Sequence, residues 1–108
     1  MYNIFLDDIR TAPKDGRYNV AKSYKACISL LMVFGEVLNK ISLDYDLDDL
    51  NETGYDVLVY MKENNIKPKY INIHSDHPEG ARAMVKYAHE HFPESIVINQ
   101  PIDRINMK

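Results

Sequence analysis

Three apolar runs in this chain each end in polar, chemically competent side chains. Asn3-Ile4-Phe5-Leu6 runs into Asp7-Asp8, Ile41-Ser42-Leu43 into Asp44-Tyr45-Asp46, and Tyr70-Ile71-Asn72-Ile73 into His74-Ser75-Asp76. Short continuous apolar runs suit strands buried on both faces, as in parallel sheets. In an open parallel α/β sheet the C-terminal strand ends line the crevice where ligands bind. The pattern therefore predicts a fold class and the place of a site together.

The segments between these runs supply the rest of the fold. Pro13 and the Asp15-Gly16 turn signal make residues 10–17 a loop. Tyr18-Asn19-Val20-Ala21-Lys22 reads as a short strand. Pairing it in parallel with the first strand needs a crossover of about a dozen residues, which the loop barely supplies. Ser23 can cap a helix over residues 24–38, where apolar side chains at 24, 27, 28, 31, 34, 37 and 38 form a stripe. Asn39-Lys40 then turns the chain into the strand at Ile41. After the acidic loop Asp48-Asp49-Leu50-Asn51-Glu52, Thr53 and Asp56 have the spacing of a capping box, and Asn64-Asn65 ends the helix they open. Asp76 or His77 caps a third helix with Pro78 in its first turn. Ala81, Met84, Val85 and Ala88 mark its inner face, and Pro93 closes it. Residues 95–98 form a last strand, followed by a tail too short for another full helix. Strands alternating with helices predict a single α/β domain over residues 1–108, with a mostly parallel sheet of about five strands and right-handed crossovers.

Composition excludes several classes. A net charge of −3 gives no basic footprint, so no extended nucleic-acid surface is expected. The single Cys27 rules out an internal disulfide, and its apolar helical setting suits a buried structural thiol. With one cysteine, and with His89 and His91 only two apart, no structural zinc site is expected. The N-terminus enters a strand at once and carries Asp7-Asp8 where a signal peptide would be basic. No apolar run reaches the roughly 20 residues of a membrane span. A cytoplasmic protein with no membrane partner is the expectation.

Asp7, Asp8, Asp44 and Asp46 all fall at or just past strand ends, which share one rim in a parallel sheet. Clustered carboxylates raise one another's pKa, and a hard divalent cation relieves that repulsion. Mg²⁺ suits such carboxylates together with waters and a substrate phosphate. Aspartates also start turns and cap helices without any metal. The Ser75 hydroxyl and the His74 imidazole can bind or protonate a phosphoryl oxygen. Their plain alternative is a cap and a histidine satisfied by backbone. No Gly-x-Ser-x-Gly elbow surrounds Ser75, which argues against a hydrolase triad. Arg10 can grip phosphate oxygens with its planar fork, or remain a solvated loop residue. Thr53-Gly54 opens a helix whose amides can face an anion, or simply caps it. Tyr45 can point into the core or towards the site.

These residues also carry a family resemblance. Leu6-Asp7-Asp8-Ile9-Arg10 with Pro13, then Ser42-Leu43-Asp44-Tyr45-Asp46-Leu47, then Thr53-Gly54-Tyr55-Asp56-Val57, then Ile73-His74-Ser75 resemble, in order, the blocks of a receiver-like family named for cyclic-phosphate processing. That family is in turn similar to response-regulator receivers. The resemblance implies a flavodoxin-like, three-layer fold, lacking here the helix after the first strand and the last helix. It also implies Mg²⁺ on the acidic pair and on the aspartate after the third strand. Two positions depart from it. The family's histidine between the aspartates is Tyr45, and Gln100-Pro101 stands where receivers carry Lys-Pro. Gln100 lacks the charge that would pair with a bound phosphoryl group, which argues against an ordinary phosphorylation switch. Spacing from Gly54 favours Asp46 as the acceptor-like residue, and the end of the apolar run favours Asp44.

The leading expectation is a Mg²⁺-dependent phosphoesterase acting on a phosphate or cyclic-phosphate ester, such as a nucleotide or RNA end. Asp7, Asp8, Asp44 and Asp46 would serve the metal. Asp44, Asp46, His74 and Ser75 would serve catalysis, and Arg10, Thr53 and Gly54 would bind substrate. The rivals are a non-catalytic receiver-like module with a protein partner and an Asp phosphoacceptor. A haloacid-dehalogenase-like phosphatase fits less well, because its D-x-D belongs after the first strand.

Overall fold

The computed structural model describes residues 1–48 and 51–100. The elements are β1 (Tyr2–Leu6), β2 (Tyr18–Ala21), α1 (Tyr24–Phe34), β3 (Leu38–Leu43), α2 (Gly54–Glu63), β4 (Tyr70–Ile73), α3 (Pro78–His91) and β5 (Ile96–Asn99), with 3-10 turns at Lys14–Gly16 and Gly35–Val37. The strands form one sheet in the order β2-β1-β3-β4-β5, and every neighbouring pair is parallel. The α/β fold with a parallel sheet of about five strands expected from the strand pattern is the one observed, and it is receiver-like, as the resemblance implied.

Strand order decides where the connections run. The step from β1 to β2 crosses the sheet in one direction, and the three later steps cross it in the other. Right-handed crossovers put opposite steps on opposite faces. Hence α1, α2 and α3 share a face, where Cys27, Leu31, Val57, Leu58, Met61, Ala81, Met84 and Ala88 pack with Ile4, Leu6, Ile41, Leu43, Ile71 and Ile73 in one core. The β1–β2 connection takes the other face. It carries only the turn Lys14–Gly16, held where Asn3 Nδ2 donates to the Gly16 carbonyl at 2.9 Å. The helix the sequence lacks is the one this crossover would carry. The described helices therefore form one layer rather than the two of a complete three-layer domain. The expectation that the last helix is lacking concerns residues 101–108, which lie outside the described residues, as do Asp49 and Leu50.

The caps follow the sequence. Ser23 Oγ accepts from the Ala26 N–H at 3.1 Å. Thr53 and Asp56 form the expected capping box, and α2 ends before Asn65, which takes the left-handed conformation at φ 56°. Of the two candidate caps on α3, His77 takes the role, its Nδ1 accepting from the Gly80 N–H at 2.8 Å. Cys27 is fully buried, and burial pushes its thiol up to about 12, which suits a structural thiol.

The boundary between α1 and β3 differs most from the sequence reading, while β2 and β5 shift by a single residue. α1 ends at Phe34 rather than at residue 38, and Asn39-Lys40 belongs to β3 rather than to a turn. Helical periodicity continues through Val37 and Leu38, but pairing with β1 wins. Tyr2 aligns with Leu38 and Asn3 with Lys40, so Asn39 bulges between them. Its Nδ2 donates to Asn3 Oδ1 at 3.3 Å, and Phe34 stacks on Tyr2 with centroids 4.2 Å apart. No helix among the described residues is long and apolar enough to cross a membrane.

Candidate functional site

Connections leave β1 and β3 on opposite faces, so a crevice opens at the C-terminal ends of these two strands. The sheet ladder runs one residue past each strand. The N–H of Asp7 donates to Ala21 O at 3.1 Å, that of Asp44 to Leu6 O at 3.1 Å, that of His74 to Leu43 O at 3.0 Å, and that of Gln100 to Ile73 O at 2.8 Å. Asp7, Asp44, His74 and Gln100 thus stand side by side in one row, on the side of the sheet away from the helices. A cleft of about 1090 Å³ opens there, lined among others by Asp8, Arg10, Lys22, Asp44, Asp46 and Asp76.

Asp7 is completely buried beneath the cleft. Its Oδ1 accepts from the backbone N–H groups of Ile9 at 2.9 Å and Arg10 at 2.8 Å. Its Oδ2 accepts from Arg10 Nη1 at 3.1 Å and bonds His74 Nε2 at 3.0 Å. Burial works against its charge, but the bonds from His74, the two amides and the guanidinium outweigh burial and hold the carboxyl well below its usual range. Asp44 lies beside it and is 4% exposed. Burial and the charge of Asp7 push its carboxyl up to about 6, although His74, Arg10 and a hydrogen bond with Ser75 act in the opposite direction. Arg10 Nη1 reaches Asp44 Oδ2 at 3.3 Å, and Nη2 pairs with Asp76.

His74 does not reach the cleft. It is fully buried, with its ring stacked flat on Phe5 at 4.5 Å. Asn72 Nδ2 donates to Ser42 Oγ at 2.9 Å, and Ser42 Oγ lies 2.7 Å from His74 Nδ1. Nδ1 thus faces Ser42 and Nε2 faces Asp7, so both ring nitrogens are engaged within the buried network. His74 therefore acts on the site through Asp7. One atom each of Asp7, Asp44 and His74 lie within 4.8 Å of one another, the spacing of a metal cluster. Both His74 nitrogens and both Asp7 oxygens are already engaged, so neither residue is a ready ligand.

Ser75 is nearly buried and braces Asp44, while its Oγ accepts from the His77 N–H at 3.0 Å. Thr53 and Gly54 lie behind the site, off the cleft wall. Thr53 Oγ1 accepts from the Tyr55 N–H at 3.2 Å, and the Gly54 N–H donates to Tyr45 O at 3.1 Å. A Cβ on Gly54 would lie 1.9 Å from the Asp44 carbonyl oxygen. The start of α2 thus packs directly on the loop that carries Asp44. Gly54→Ala is expected to destabilise the domain by at least ~2 kcal/mol, read as a lowered urea midpoint, because backbone rather than a mobile side chain must give way. Asp46 is exposed at the rim, so the structure brings Asp44, not Asp46, up against Asp7.

Tyr45 turns away from the cleft. Its ring lies 4.7 Å from His77 and would touch any side chain at Gly80, whose Cβ would meet it at 2.4 Å. Lys22 is one of the wall residues that the sequence reading did not single out as a site residue. Its signal was present, since it immediately follows β2, but only the sheet order puts β2 beside β1.

The family model described as "Cyclic-phosphate processing Receiver domain" matches residues 2–90, which span β1 through nearly all of α3. The chain belongs to the cyclic-phosphate processing receiver domain family. No curated protein and no solved structure matches it. Within this receiver domain the row that ends the sheet carries no cation at Gln100. Arg10 supplies one from the β1 side, where its guanidinium meets both Asp7 and Asp44.

The donor set suits a hard divalent cation. Asp8, Asp44 and Asp46 bring carboxylates to one cleft, and burial together with the charge of Asp7 pushes the Asp44 carboxyl up despite the nearby Arg10.

Proposed function

We propose that this domain is a Mg²⁺-dependent phosphoesterase acting on a phosphate or cyclic-phosphate ester, with nucleotide or RNA ends as the substrate class. The observation that carries the reading is the convergence of Asp8, Arg10 and Asp44 on one cleft at the sheet's switch point. The family's description supports the cyclic-phosphate part. Asp8 and Asp44 would hold the metal. Bound there, Mg²⁺ supplies charge neutralisation at the phosphoryl oxygens. Asp7 and its partner His74 position Arg10 and its loop, and Ser75 orients Asp44. Arg10 grips the phosphate, and Asp46 at the rim is left to accept a proton from the attacking water. Water adds at phosphorus, one ring P–O bond breaks, and the departing oxygen takes up a proton.

The test is incubation of the domain with 2′,3′-cyclic nucleotides and Mg²⁺, with products separated by chromatography. The expected result is a phosphomonoester that fails to form when EDTA is present. Intact cyclic phosphate at every Mg²⁺ concentration counts against the reading.

A second reading, a non-catalytic module with a protein partner, is favoured by Tyr45. At the position of the family's histidine, its ring packs against His77 and Gly80. Mg²⁺ binding by calorimetry without turnover supports this module over the enzyme.

A further inference from the structure

The Arg10 guanidinium joins carboxylates from three strand ends. Asp7 follows β1, Asp44 follows β3, and Asp76 lies three residues past β4. Nη1 stands 3.1 Å from Asp7 and 3.3 Å from Asp44, while Nη2 pairs with Asp76. The side chain is only 20% exposed, which places it at the floor of the cleft. Asp44 is also one of the two carboxylates assigned above to the metal. Ser75 already bonds Asp44, and Arg10 takes a further share of its acceptor capacity. A guanidinium and a divalent cation in contact with the same carboxylate repel each other strongly in so buried a setting.

We propose that Arg10 is a tethered counter-ion that a divalent cation displaces, and that displacement presents its guanidinium to the phosphate of the substrate. This rests on the Mg²⁺ reading above. The move needs no rearrangement of the loop. The backbone N–H of Arg10 is held by Asp7 Oδ1 at 2.8 Å, so the anchor stays while the side chain changes rotamer. Loss of the guanidinium from two buried carboxylates is offset by a doubly charged ion. The released fork carries five N–H donors on a short tether and can grip phosphate oxygens bidentately. Before displacement, a phosphate meets the carboxylates of Asp8, Asp44, Asp46 and Asp76 with Arg10 already engaged. Metal and phosphate therefore bind with positive coupling, and the coupling is reciprocal.

The experiment is calorimetric titration of wild type, Arg10→Gln and Arg10→Lys with MgCl₂, then with inorganic phosphate in the absence and presence of Mg²⁺. Circular dichroism checks that each variant is folded. Arg10→Gln is expected to bind Mg²⁺ on the order of tenfold tighter than wild type, within the usual range of coupling between sites. Arg10→Lys, which keeps a tethered charge, is expected to stay near wild type. Mg²⁺ is expected to tighten phosphate binding to wild type by a similar factor, and by much less in Arg10→Gln. Equal or weaker Mg²⁺ binding by Arg10→Gln overturns displacement and leaves the metal reading standing. Tighter Mg²⁺ binding with undiminished phosphate coupling overturns delivery to the phosphate. Absence of Mg²⁺ binding in wild type and Arg10→Gln alike removes the metal reading and this proposal with it.

Discussion

Asp44→Asn is expected to raise the thermal stability of the metal-free domain at pH 7 and, on the Mg²⁺ reading proposed above, to abolish metal binding. The Asp44 carboxyl is 4% exposed, and burial together with Asp7 pushes it up to about 6. In the unfolded chain it titrates near the ordinary value of about 3.9. Between these values the folded protein holds a proton that the unfolded chain has released. Stability therefore falls as pH rises from about 4 to about 6, and the full penalty is present at neutral pH. A shift of about two units corresponds to at most ~3 kcal/mol, or a rise in melting temperature on the order of 10 °C. Asparagine has the same shape. Its oxygen can accept from Arg10, and its nitrogen can donate to Ser75. Thermal melts across this pH range check the expectation: wild type loses stability above pH 4, and the variant stays flat. On the Mg²⁺ reading, saturating Mg²⁺ is expected to reverse the order at pH 7, because a ligand stabilises only the form that binds it. A variant that melts below wild type at pH 7 without metal contradicts the assignment of Asp44 as an uncompensated charge.

Asp7→Ala is expected to do the opposite, lowering stability by about 3 kcal/mol or more, the sum of several lost bonds in a buried place. Both oxygens of Asp7 are in use, toward two backbone amides, Arg10 and His74. Alanine leaves the buried His74 Nε2 without its partner and removes the anchor of the loop that carries Arg10. Asp7 also makes a contribution to stability that depends on pH in acid. Its carboxyl is held below the usual range by its bonds to His74, the two amides and Arg10, despite burial. Its stabilisation is thus complete above the unfolded value near 4 and is lost progressively as pH falls from there toward its depressed folded value. Urea titrations at pH 7 and near pH 3 test both parts. The difference between wild type and Asp7→Ala is expected to be large at pH 7 and smaller in acid. A variant within ~0.5 kcal/mol of wild type at pH 7 argues that these bonds contribute nothing net.

Two neighbouring aspartates with opposite effects on stability could not be told apart in the sequence. Asp7, Asp8, Asp44 and Asp46 each follow or flank an apolar strand, and the strand rule puts all four on one rim. Their roles diverge through partners distant in the chain. Asp7 meets His74, which is 67 residues away, and Asp44 meets Arg10, which is 34 away. The choice between Asp44 and Asp46 was open for the same reason. Spacing counts residues, whereas the ladder bond from the Asp44 N–H to Leu6 O shows which residue continues β3 beside Asp7. Thr53-Gly54 carried two readings in the sequence, an anion site and a plain cap; the structure shows Thr53 in a capping box and Gly54 in close contact with the Asp44 loop. The helix boundary at Phe34 was missed because Val37 and Leu38 satisfy a helical stripe and a strand equally well.

What the sequence determined by itself is local and periodic. It specified the parallel α/β class, the caps of α1 and α2 and the crevice end of the sheet, because apolar runs, cap residues and strand termini act within a few residues of themselves. Tertiary structure alone decided which face the helices take, since that depends on strand order. It also turned His74 inward against Phe5 and placed the Arg10 guanidinium among Asp7, Asp44 and Asp76. A side chain's charge and protonation depend on what is packed beside it in space, and the neighbours that matter here arrive from strands far apart in the chain.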